Sequence, residues 1–180
     1  ASDVYKRQAG ISRGSLKYLA DTGRLDQVSR GVYTLPEVWE DEFVSIQERY
    51  KRGVFALDTA LFLHDLTDRT PHKFHMAFPY GYNTSSPKAA GILCSCKKEP
   101  YYSLGIALVD TPAGNTVRAY NAEKTLCEIL KPISHTDIQI ITDAFKRYAG
   151  RKDKNIPLLS EYAHQLRVEK RLRPYLEVLL

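Results

Sequence analysis

The sequence predicts an α+β protein in which a partial N-terminal winged helix-turn-helix precedes a small mixed or antiparallel sheet and a helical C-terminal half. Two observations predict this class. Near the N-terminus, a short helical pattern with a basic face precedes two alternating stretches that are joined by a tight-turn signal. From Thr70 onwards, short β-rich segments give way after Asn121 to amphipathic helical patterns that continue to the end.

The composition is that of a soluble globular chain rather than a disordered or membrane-embedded one. Of the 180 residues, 43% are hydrophobic and 26% are charged, and no apolar run approaches the length of a membrane span. Three cysteines, an odd number, argue against a disulfide framework and favour a reducing, cytoplasmic location. The formal net charge of +5 permits a polyanionic partner without establishing one.

The first eight residues, ASDVYKRQ, are predicted to be foreign to the protein. The stretch lacks an initiator Met and back-translates naturally to the end of a transposase-derived sequencing adapter. We therefore expect an N-terminally truncated metagenomic fragment whose own residues begin near Ala9. The alternative is a polar N-terminal arm in which Tyr5, Lys6 and Arg7 contact a phosphate backbone.

Residues 11–23, ISRGSLKYLADTG, predict a short helix with one apolar and one polar face. Ser12 suits the N-cap and Gly23 suits the C-terminal stop. The apolar residues recur at helical spacing, at Leu16, Leu19 and Ala20. The opposite face carries Arg13, Ser15, Lys17 and Tyr18.

The next segment, RLDQVSRGVYTLP, predicts a β-hairpin. Two alternating stretches, 25–28 and 32–35, flank the tight-turn signal Ser29-Arg30-Gly31. A basic-faced helix followed by such a hairpin is the second half of a winged helix-turn-helix, whose helix N-terminus contacts base edges in the major groove. Arg30 would then lie near a phosphate or in the minor groove. The alternative is a small structural subdomain, because many winged helices bind protein or nothing.

Residues 9–36 are thus predicted to be the partial winged helix, residues 37–66 connecting helices and residues 67–180 an α+β domain. The first connecting helix, residues 37–52, repeats apolar residues at helical spacing, at Trp39, Phe43, Ile46 and Tyr50. The second, residues 55–66, is predicted to begin at Asp58. His64 within it is predicted to be a core or rim residue.

The α+β domain begins with four β-rich segments, KFHMAFP, ILCSCK, SLGIALVD and NTVRAY. Asn121 suits the N-cap of the helix NAEKTLCEILK, in which Cys127 is predicted to be a core residue. Three further helical segments follow, DIQIITDAFKRYAG, IPLLSEYAHQL and VEKRLRPYLEVLL. The first of these places four apolar residues on one face, Ile138, Ile141, Phe145 and Tyr148.

The densest positive charge lies between the first two of these helices. The segment KRYAGRKDKN contains five basic residues against Asp153, namely Lys146, Arg147, Arg151, Lys152 and Lys154. Four more follow near the C-terminus, Arg167, Lys170, Arg171 and Arg173. This charge has two interpretations, a solvated helix end that complements the helix dipole or a second contact with a polyanion.

The sequence gives little support to an enzyme, and we expect no cofactor and no metal site. It contains no phosphate-binding glycine loop, nucleophile elbow or HExxH motif. The best zinc candidates, His72 and His75 with Cys94 and Cys96, lie on predicted strands, where alternation would point the two histidines to opposite faces. The residues nearest to the pattern of a carboxylate-and-lysine nuclease are Asp110, Glu123 and Lys124. Glu123, however, is predicted to occupy the capping turn of a helix.

Several blocks of the chain together resemble the AbiEi antitoxin family of abortive-infection systems. They are GISRGSLKYLADTGRLDQVSRGVYTLP, DEFVSIQERYKRGVFALDTALFLHDLTDRTP, FPYGYNTSS, TPAGNTVRAYNAEKTLCEIL, DIQIITDAFKRY and RKDKNIPLLSEYAHQL. The resemblance covers nearly all of residues 9–180. The octapeptide lies outside it, and the family's first winged-helix segments are absent.

The resemblance implies a bacterial antitoxin and transcriptional autorepressor of a type IV toxin–antitoxin operon that serves in phage defence. The N-terminal winged helix would bind double-stranded DNA at its own promoter, and the C-terminal α+β domain would supply antitoxicity. The cognate toxin would be a nucleotidyltransferase encoded downstream, countered without a stable complex. No membrane partner is implied. The alternatives are a protein-interaction module or general regulator with a structural winged helix, or a nuclease-like or nucleotidyltransferase-like enzyme.

The resemblance also carries DNA contacts onto particular residues. The recognition-helix positions are Ser12, Arg13, Ser15, Lys17 and Tyr18, and the wing position is Arg30. Arg13 is predicted to contact a base edge, because its planar fork suits guanine. Lys17 and Arg30 are predicted to contact phosphates. A basic surface of the C-terminal domain would meet the same DNA through Lys146, Arg147, Arg151 and Lys152.

Overall fold

The computed structural model describes residues 26–29, 32–34 and 41–179, and contacts divide the chain into two compact units, residues 1–51 and 52–180. The division falls inside the range predicted to be connecting helices. The predicted domain boundaries, including the foreign octapeptide, stay predictions. The predicted helix of residues 11–23 lies outside the described residues.

The first unit contains the predicted hairpin strands. Strand β1 (Asp26–Ser29) pairs antiparallel with β2 (Val32–Thr34), and the register shifts between Gln27 and Ser29. The alternation of residues 25–35 therefore predicted both strands to within a residue. The predicted turn residue Arg30 lies outside the described residues.

Helix α1 (Glu42–Arg49) completes the described part of this unit. The Asp41 carboxylate caps it by accepting a hydrogen bond from the Phe43 backbone N–H at 3.1 Å. Glu42 in the first turn and Arg49 in the last complement the helix dipole. The helix ends at Arg49, three residues before the predicted end, and residues 37–40 lie outside the described part.

The second unit contains a five-stranded mixed sheet with the order β5-β4-β3-β7-β6. Its strands are β3 (Val54–Phe55), β4 (His75–Pro79), β5 (Leu93–Lys97), β6 (Ile106–Asp110) and β7 (Thr116–Tyr120). β4 pairs parallel with β5 and β3 parallel with β7, whereas β3–β4 and β6–β7 are antiparallel. The four predicted strands are confirmed within the predicted mixed sheet, and the central strand β3 was not predicted.

One prediction for this region is wrong. The segment 55–66 was predicted to be helical, with Asp58 as its start signal. Phe55 instead lies in β3, and helix α2 runs over Leu57–Leu63. Both residues of β3 are fully buried and apolar, so the sequence of this two-residue strand shows no alternation of apolar and polar residues. The backbone therefore turns from strand to helix inside a run that reads as one helix.

A short helix, α3 (Ser85–Ala89), lies between β4 and β5, and the helices that follow β7 form the C-terminal half, as predicted. The helices of this half are α4 (Ala122–Ile129), α5 (Ile138–Ala149), α6 (Ile156–Gln165) and α7 (Glu169–Leu179), with a 3-10 turn at Pro132–Ser134. Among the described helices, α3 and the 3-10 turn were not predicted. Within the described residues, no helix is long and apolar enough to cross a membrane.

Helix α4 lies at the centre of the second unit. All eight of its residues are buried, and it contacts α2, α5 and α6. The predicted N-cap is confirmed, since the Asn121 side-chain oxygen accepts from the Lys124 N–H at 2.9 Å. Cys127 is fully buried in the core, as predicted. On α5, Ile141, Phe145 and Tyr148 join this core, whereas Ile138 at the start of the same face is 64% exposed.

The connection between the two edge strands, residues 98–105, crosses from one end of the sheet to the other. β5 and β6 run in the same direction, so β5 finishes at the end of the sheet opposite to the one where β6 begins. Tyr102 anchors the connection, because its hydroxyl donates to the Arg52 carbonyl at 2.6 Å and its own carbonyl accepts from the Tyr120 hydroxyl at 2.8 Å. The connection thereby contacts the start of β3 and the end of β7.

Gly105, at the end of this connection, is predicted to resist substitution more than Gly114 does. Both have positive φ, +74° and +82°, so alanine should cost each about 1–2 kcal/mol. A Cβ at residue 105 would also lie 3.0 Å from Lys124 Cβ, whereas a Cβ at residue 114 would meet nothing within 4 Å. Gly105→Ala should therefore lose about 1–3 kcal/mol more than Gly114→Ala. Urea unfolding of both variants checks this, and equal losses would contradict the close approach.

Candidate nucleic-acid interface

The predicted contacts of the first unit lie outside the described residues. They are Ser12, Arg13, Ser15, Lys17, Tyr18 and Arg30. What the structure provides there is the antiparallel pair β1–β2, whose strands flank Arg30 in the sequence. The contact roles of these six residues stay predictions.

The predicted basic surface of the second unit is described, and it begins on the last turn of α5. Lys146 and Arg147 are both exposed there. Arg147 Nη2 lies 3.3 Å from Asp68 Oδ2, and both side chains are well exposed to solvent, 44% and 80%. Exposed pairs of this kind contribute only about 0–1 kcal/mol, so Arg147 can leave Asp68 for a phosphate at small cost.

Arg151 differs from its basic neighbours because it is already engaged within the unit. Its Nε and Nη2 donate to the two oxygens of Asp153 at 2.9 and 2.7 Å, a bidentate pair. Its Nη1 donates to the His64 carbonyl at 2.7 Å. Three of its five N–H donors are thus used, and the side chain connects the loop after α5 to the end of α2.

The two lysines of the same loop also differ from each other. Lys154 Nζ donates to the Ala149 carbonyl at 2.7 Å, near the C-terminus of α5. Lys152 is exposed, and no hydrogen bond or ion pair joins it to another described residue. Of the predicted contact residues in this unit, Lys146, Arg147 and Lys152 therefore remain available to an external anion, and we call these three residues the basic surface.

The Arg151–Asp153 pair changes the acidity of its carboxyl. The hydrogen bonds and charge of Arg151 lower the pKa of Asp153 to about 2, from an ordinary value of 3.8. Asp153 therefore stays ionised across the physiological range and keeps the positive charge of Arg151 paired.

His64 lies at the edge of the core, as predicted. It is half-buried, and its Nε2 lies 2.7 Å from the Tyr120 carbonyl oxygen. Burial lowers the pKa of His64, an effect that the Tyr120 carbonyl opposes. Because the carbonyl can only accept, Nε2 carries the proton in this contact.

A second charged group lies inside the unit, centred on Glu128 of α4. Glu128 Oε1 accepts from Lys97 Nζ at 2.6 Å and lies 3.8 Å from Lys124 Nζ. The Lys124 and Glu128 side chains are 0% and 2% exposed. Glu128 Oε2 is buried without a hydrogen-bond partner among the described residues. The carboxylate therefore depends on the two lysines for its stabilisation.

Lys124 makes further contacts that hold its ammonium group inside the protein. Its Nζ donates to the Tyr101 carbonyl and, at 2.8 Å, to the Leu104 carbonyl, and it lies 3.8 Å from the Tyr120 ring centroid. Burial lowers the pKa of Lys124 to about 8, while Glu128 pulls it upwards. This interior role was not predicted from the sequence, because Lys124 falls in a helix that reads as amphipathic.

The three residues nearest to a nuclease pattern, Asp110, Glu123 and Lys124, have different environments in the structure. Glu123 occupies the first turn of α4, as predicted, and its Oε1 accepts from the Tyr148 hydroxyl at 2.8 Å. That hydroxyl in turn accepts from the Asn155 N–H at 2.7 Å. Glu123 and Lys124 thus serve interior contacts, while Asp110 is exposed at the end of the edge strand β6.

The zinc candidates are arranged differently from the sequence prediction. His72 is exposed in the loop before β4 rather than on a strand, and only His75 lies in β4. Cys94 and Cys96 lie on β5, as predicted, opposite Met76 and Phe78. Among the described residues, no three His, Cys, Asp or Glu side chains are grouped in a way that could hold a metal ion.

Comparison with known proteins identifies the N-terminal segment. A family model described as "Transcriptional regulator, AbiEi antitoxin" matches residues 1–36. No curated protein matches the sequence significantly. The resemblance to this family is therefore confirmed over these residues. The matched range includes the first octapeptide, which the resemblance had left out, and it does not extend over the second unit.

Removal of the Glu128 charge is predicted to destabilise the second unit strongly. Glu128→Gln keeps the size of the side chain but leaves Lys97 and Lys124 facing each other without a counter-charge. Breaking a buried ion pair in this way costs about 3–5 kcal/mol. Urea unfolding measures the loss, and the matched control Glu161→Gln, on the exposed side of α6, should change stability by less than about 0.5 kcal/mol. Equal stability of the two variants would contradict the interior pairing.

The Arg151–Asp153 pair predicts a titration that NMR can follow. Because the folded pKa of Asp153 is lowered, the pair stabilises the fold above about pH 4, and this contribution is lost as the pH falls through about 2. The Asp153 carboxyl carbon should therefore titrate near 2 in the parent protein and near 3.8 in Arg151→Ala. Lys152→Ala should leave the titration nearly unchanged. A value near 3.8 in the parent would contradict the bidentate pair.

Proposed function

We propose that the protein is a DNA-binding antitoxin and transcriptional autorepressor of a bacterial toxin–antitoxin operon, countering a nucleotidyltransferase toxin. The observation that carries the proposal is the match of residues 1–36 to AbiEi antitoxin regulators. The matched residues include both the predicted recognition helix and the hairpin. The antiparallel pairing of β1 with β2 supports a wing at this position.

In this proposal the first unit reads the operator. Arg13 contacts a base edge through its planar guanidinium, while Lys17 and Arg30 contact phosphates. Ser12 at the predicted N-cap, together with Ser15 and Tyr18 on the polar face of the predicted helix, completes the contact. Base contacts of this kind supply the sequence preference, and phosphate contacts orient the protein on the duplex.

The second unit contributes a sequence-independent contact through the basic surface, Lys146, Arg147 and Lys152. Residues 52–180 contain eighteen basic and thirteen acidic residues, whereas residues 1–51 contain eight of each. The whole positive excess therefore lies in the second unit, which supports a role in holding a polyanion. Arg151 was predicted to contact DNA as well. We now assign it chiefly to holding the loop, because its charge is paired with Asp153.

The relation to the toxin and the cellular role are part of the same proposal. Repression of the shared operon and antitoxicity by the second unit would counter the toxin without a stable complex, in the cytoplasm of a bacterium defending itself against phage. We propose a regulatory rather than a catalytic role for the second unit. The engagement of Glu123 and Lys124 in interior contacts supports this.

A second candidate function is a protein-interaction module whose winged helix is structural. The observation that favours it is the exposure of two isoleucines on neighbouring segments, Ile133 at 81% and Ile138 at 64%. Weak DNA binding that is insensitive to salt would favour this candidate over the repressor.

DNA binding by single substitutions tests the repressor proposal. Fluorescence anisotropy on the DNA upstream of the gene, against a scrambled duplex and across a salt series, gives affinity and its salt dependence. Arg13→Ala should cost about 1–3 kcal/mol and relax the preference for the operator, because it removes a base contact. Lys152→Ala should weaken binding to both duplexes alike and reduce the salt slope by about 1, because it removes a phosphate contact.

The control for both variants is Lys73→Ala, which removes an exposed lysine in the loop before β4. It should bind both duplexes as the parent does. If Arg13→Ala and Lys152→Ala also bind as the parent does, the assignment of contacts is wrong. If the parent binds the two duplexes equally, the proposed sequence-selective recognition of the operator is wrong.

A further inference from the structure

Two aromatic side chains and two cations gather at the end of the sheet where β4 and β5 finish. Because these strands are parallel, their carboxyl ends lie side by side at the same end of the sheet. Tyr80 and Lys98 are the next residues in register. β3 starts at the same end, since it runs antiparallel to β4, so Arg52 lies there as well. We call Arg52, Tyr80, Tyr82 and Lys98 the cation–aromatic surface.

Each cation of this surface lies over an aromatic ring. Lys98 Nζ is 4.8 Å from the ring centroid of Tyr80, and Arg52 Cζ is 5.9 Å from that of Tyr82. Tyr82 also stacks on the buried Phe78, with centroids 4.5 Å apart and planes 11° from parallel. Tyr80 is 70% exposed, so most of its ring remains open to solvent.

The backbone fixes the position of Tyr80 in spite of its exposure. Its N–H donates to the Lys97 carbonyl at 2.8 Å, which extends the β4–β5 ladder by one residue. The Tyr82 N–H donates to the Pro79 carbonyl at 3.1 Å and closes a turn that Gly81 permits with a φ of +83°. An exposed aromatic ring on such a rigid base loses little conformational freedom when a partner stacks on it.

The charges around the surface favour an anionic partner. The nearest carboxylate in the sequence, Glu99, is engaged, because it accepts hydrogen bonds from both the N–H and the hydroxyl of Ser103. Lys97 points to the other side of the sheet, where Glu128 neutralises it. Hydrogen bonds from the neutral Ser103 do not offset the charge of Glu99, so two positive charges, on Arg52 and Lys98, and one negative charge are exposed here.

We propose that the cation–aromatic surface binds single-stranded nucleic acid, with a base stacked on Tyr80 and phosphates held by Lys98 and Arg52. Open aromatic faces beside cations are the features that bind unpaired bases and their backbone. A duplex keeps its bases stacked inside and cannot offer one to Tyr80. The surface therefore differs in its ligand from the duplex contacts proposed above and does not depend on them.

Anisotropy of a labelled 12-nucleotide oligodeoxythymidine tests this, with an abasic strand of the same length as the second probe. Oligodeoxythymidine does not fold on itself, and the abasic strand keeps the phosphates but offers nothing to stack. We expect the full chain to bind the thymidine strand more tightly than the abasic strand. Tyr80→Leu should weaken binding to the thymidine strand by between about 5-fold and about 100-fold and abolish the preference over the abasic strand.

Three variants separate stacking from charge and from general effects. Tyr80→Phe keeps the ring and should bind within about 2-fold of the parent, since stacking needs the π face rather than the hydroxyl. Lys98→Ala should reduce the slope of log affinity against log salt by about 0.7, the value for one contact with a single strand. Lys73→Ala, at the opposite end of β4, should bind as the parent does.

The proposal is overturned if the parent fails to bind the thymidine strand, or if Tyr80→Leu binds it as tightly as the parent does. It is also overturned if Tyr80→Leu weakens binding to upstream duplex DNA by the same factor as binding to the single strand. Since Tyr80 is exposed, the substitution leaves the core unchanged, and an unaltered urea midpoint would verify this. Loss of duplex binding in Arg13→Ala with intact single-strand binding would keep the two proposals distinct.

Discussion

The second unit depends on a helix that is buried along its whole length. Helix α4 has no solvent-exposed face, yet its sequence contains two glutamates, a lysine and a threonine. Each charged side chain must therefore find its partner inside the protein, because a buried unpaired charge costs several kcal/mol. Glu123 accepts a hydrogen bond from the Tyr148 hydroxyl of α5, and Glu128 pairs with Lys97 at the end of β5. These contacts connect the central helix to the helical layer on one side and the sheet on the other.

Lys124 extends this dependence to the connection between the edge strands. That connection crosses from the end of β5 at one end of the sheet to the start of β6 at the other, and the carbonyls of Tyr101 and Leu104 face the interior on the way. The buried Lys124 ammonium donates hydrogen bonds to the carbonyls of Tyr101 and Leu104 and lies over the Tyr120 ring. At the end of the sheet where β4 and β5 finish, the Tyr102 hydroxyl donates to the Arg52 carbonyl and the Tyr80 N–H donates to the Lys97 carbonyl, so the backbone there holds exposed side chains in fixed positions. The cation–aromatic surface depends on that rigidity. The basic surface lies on the last turn of α5 and the loop after it, which Arg151 connects to the end of α2.

Much of this fold follows from local sequence patterns, and the parts that do not have physical reasons. The strands β4 to β7 and helices α4 to α7 were predictable because alternation, helical spacing and the Asn121 cap agree with the tertiary structure. β3 escaped prediction because two buried residues show no alternation, and Phe55 therefore reads as part of the helix that follows. The interior position of Lys124 was also unpredictable, since a lysine is expected at the surface and its partners, Tyr101 and Leu104, come from a distant segment. Among the predicted contact residues, Lys152 is exposed as expected, whereas the pairing of Arg151 with Asp153 and His64 depends on a loop geometry that spacing alone does not give.

Native-state hydrogen exchange of the full chain tests most directly the claim that α4 organises the second unit. If the interior contacts of Glu123, Lys124 and Glu128 hold the unit together, the α4 amides should exchange only through global unfolding. Their opening free energies should then equal the unfolding free energy from denaturant titration and match those of the central strand β3. The account would be contradicted if the α4 amides exchanged at markedly lower free energy than those of β4 and β7, because the helix would then open while the sheet remained folded.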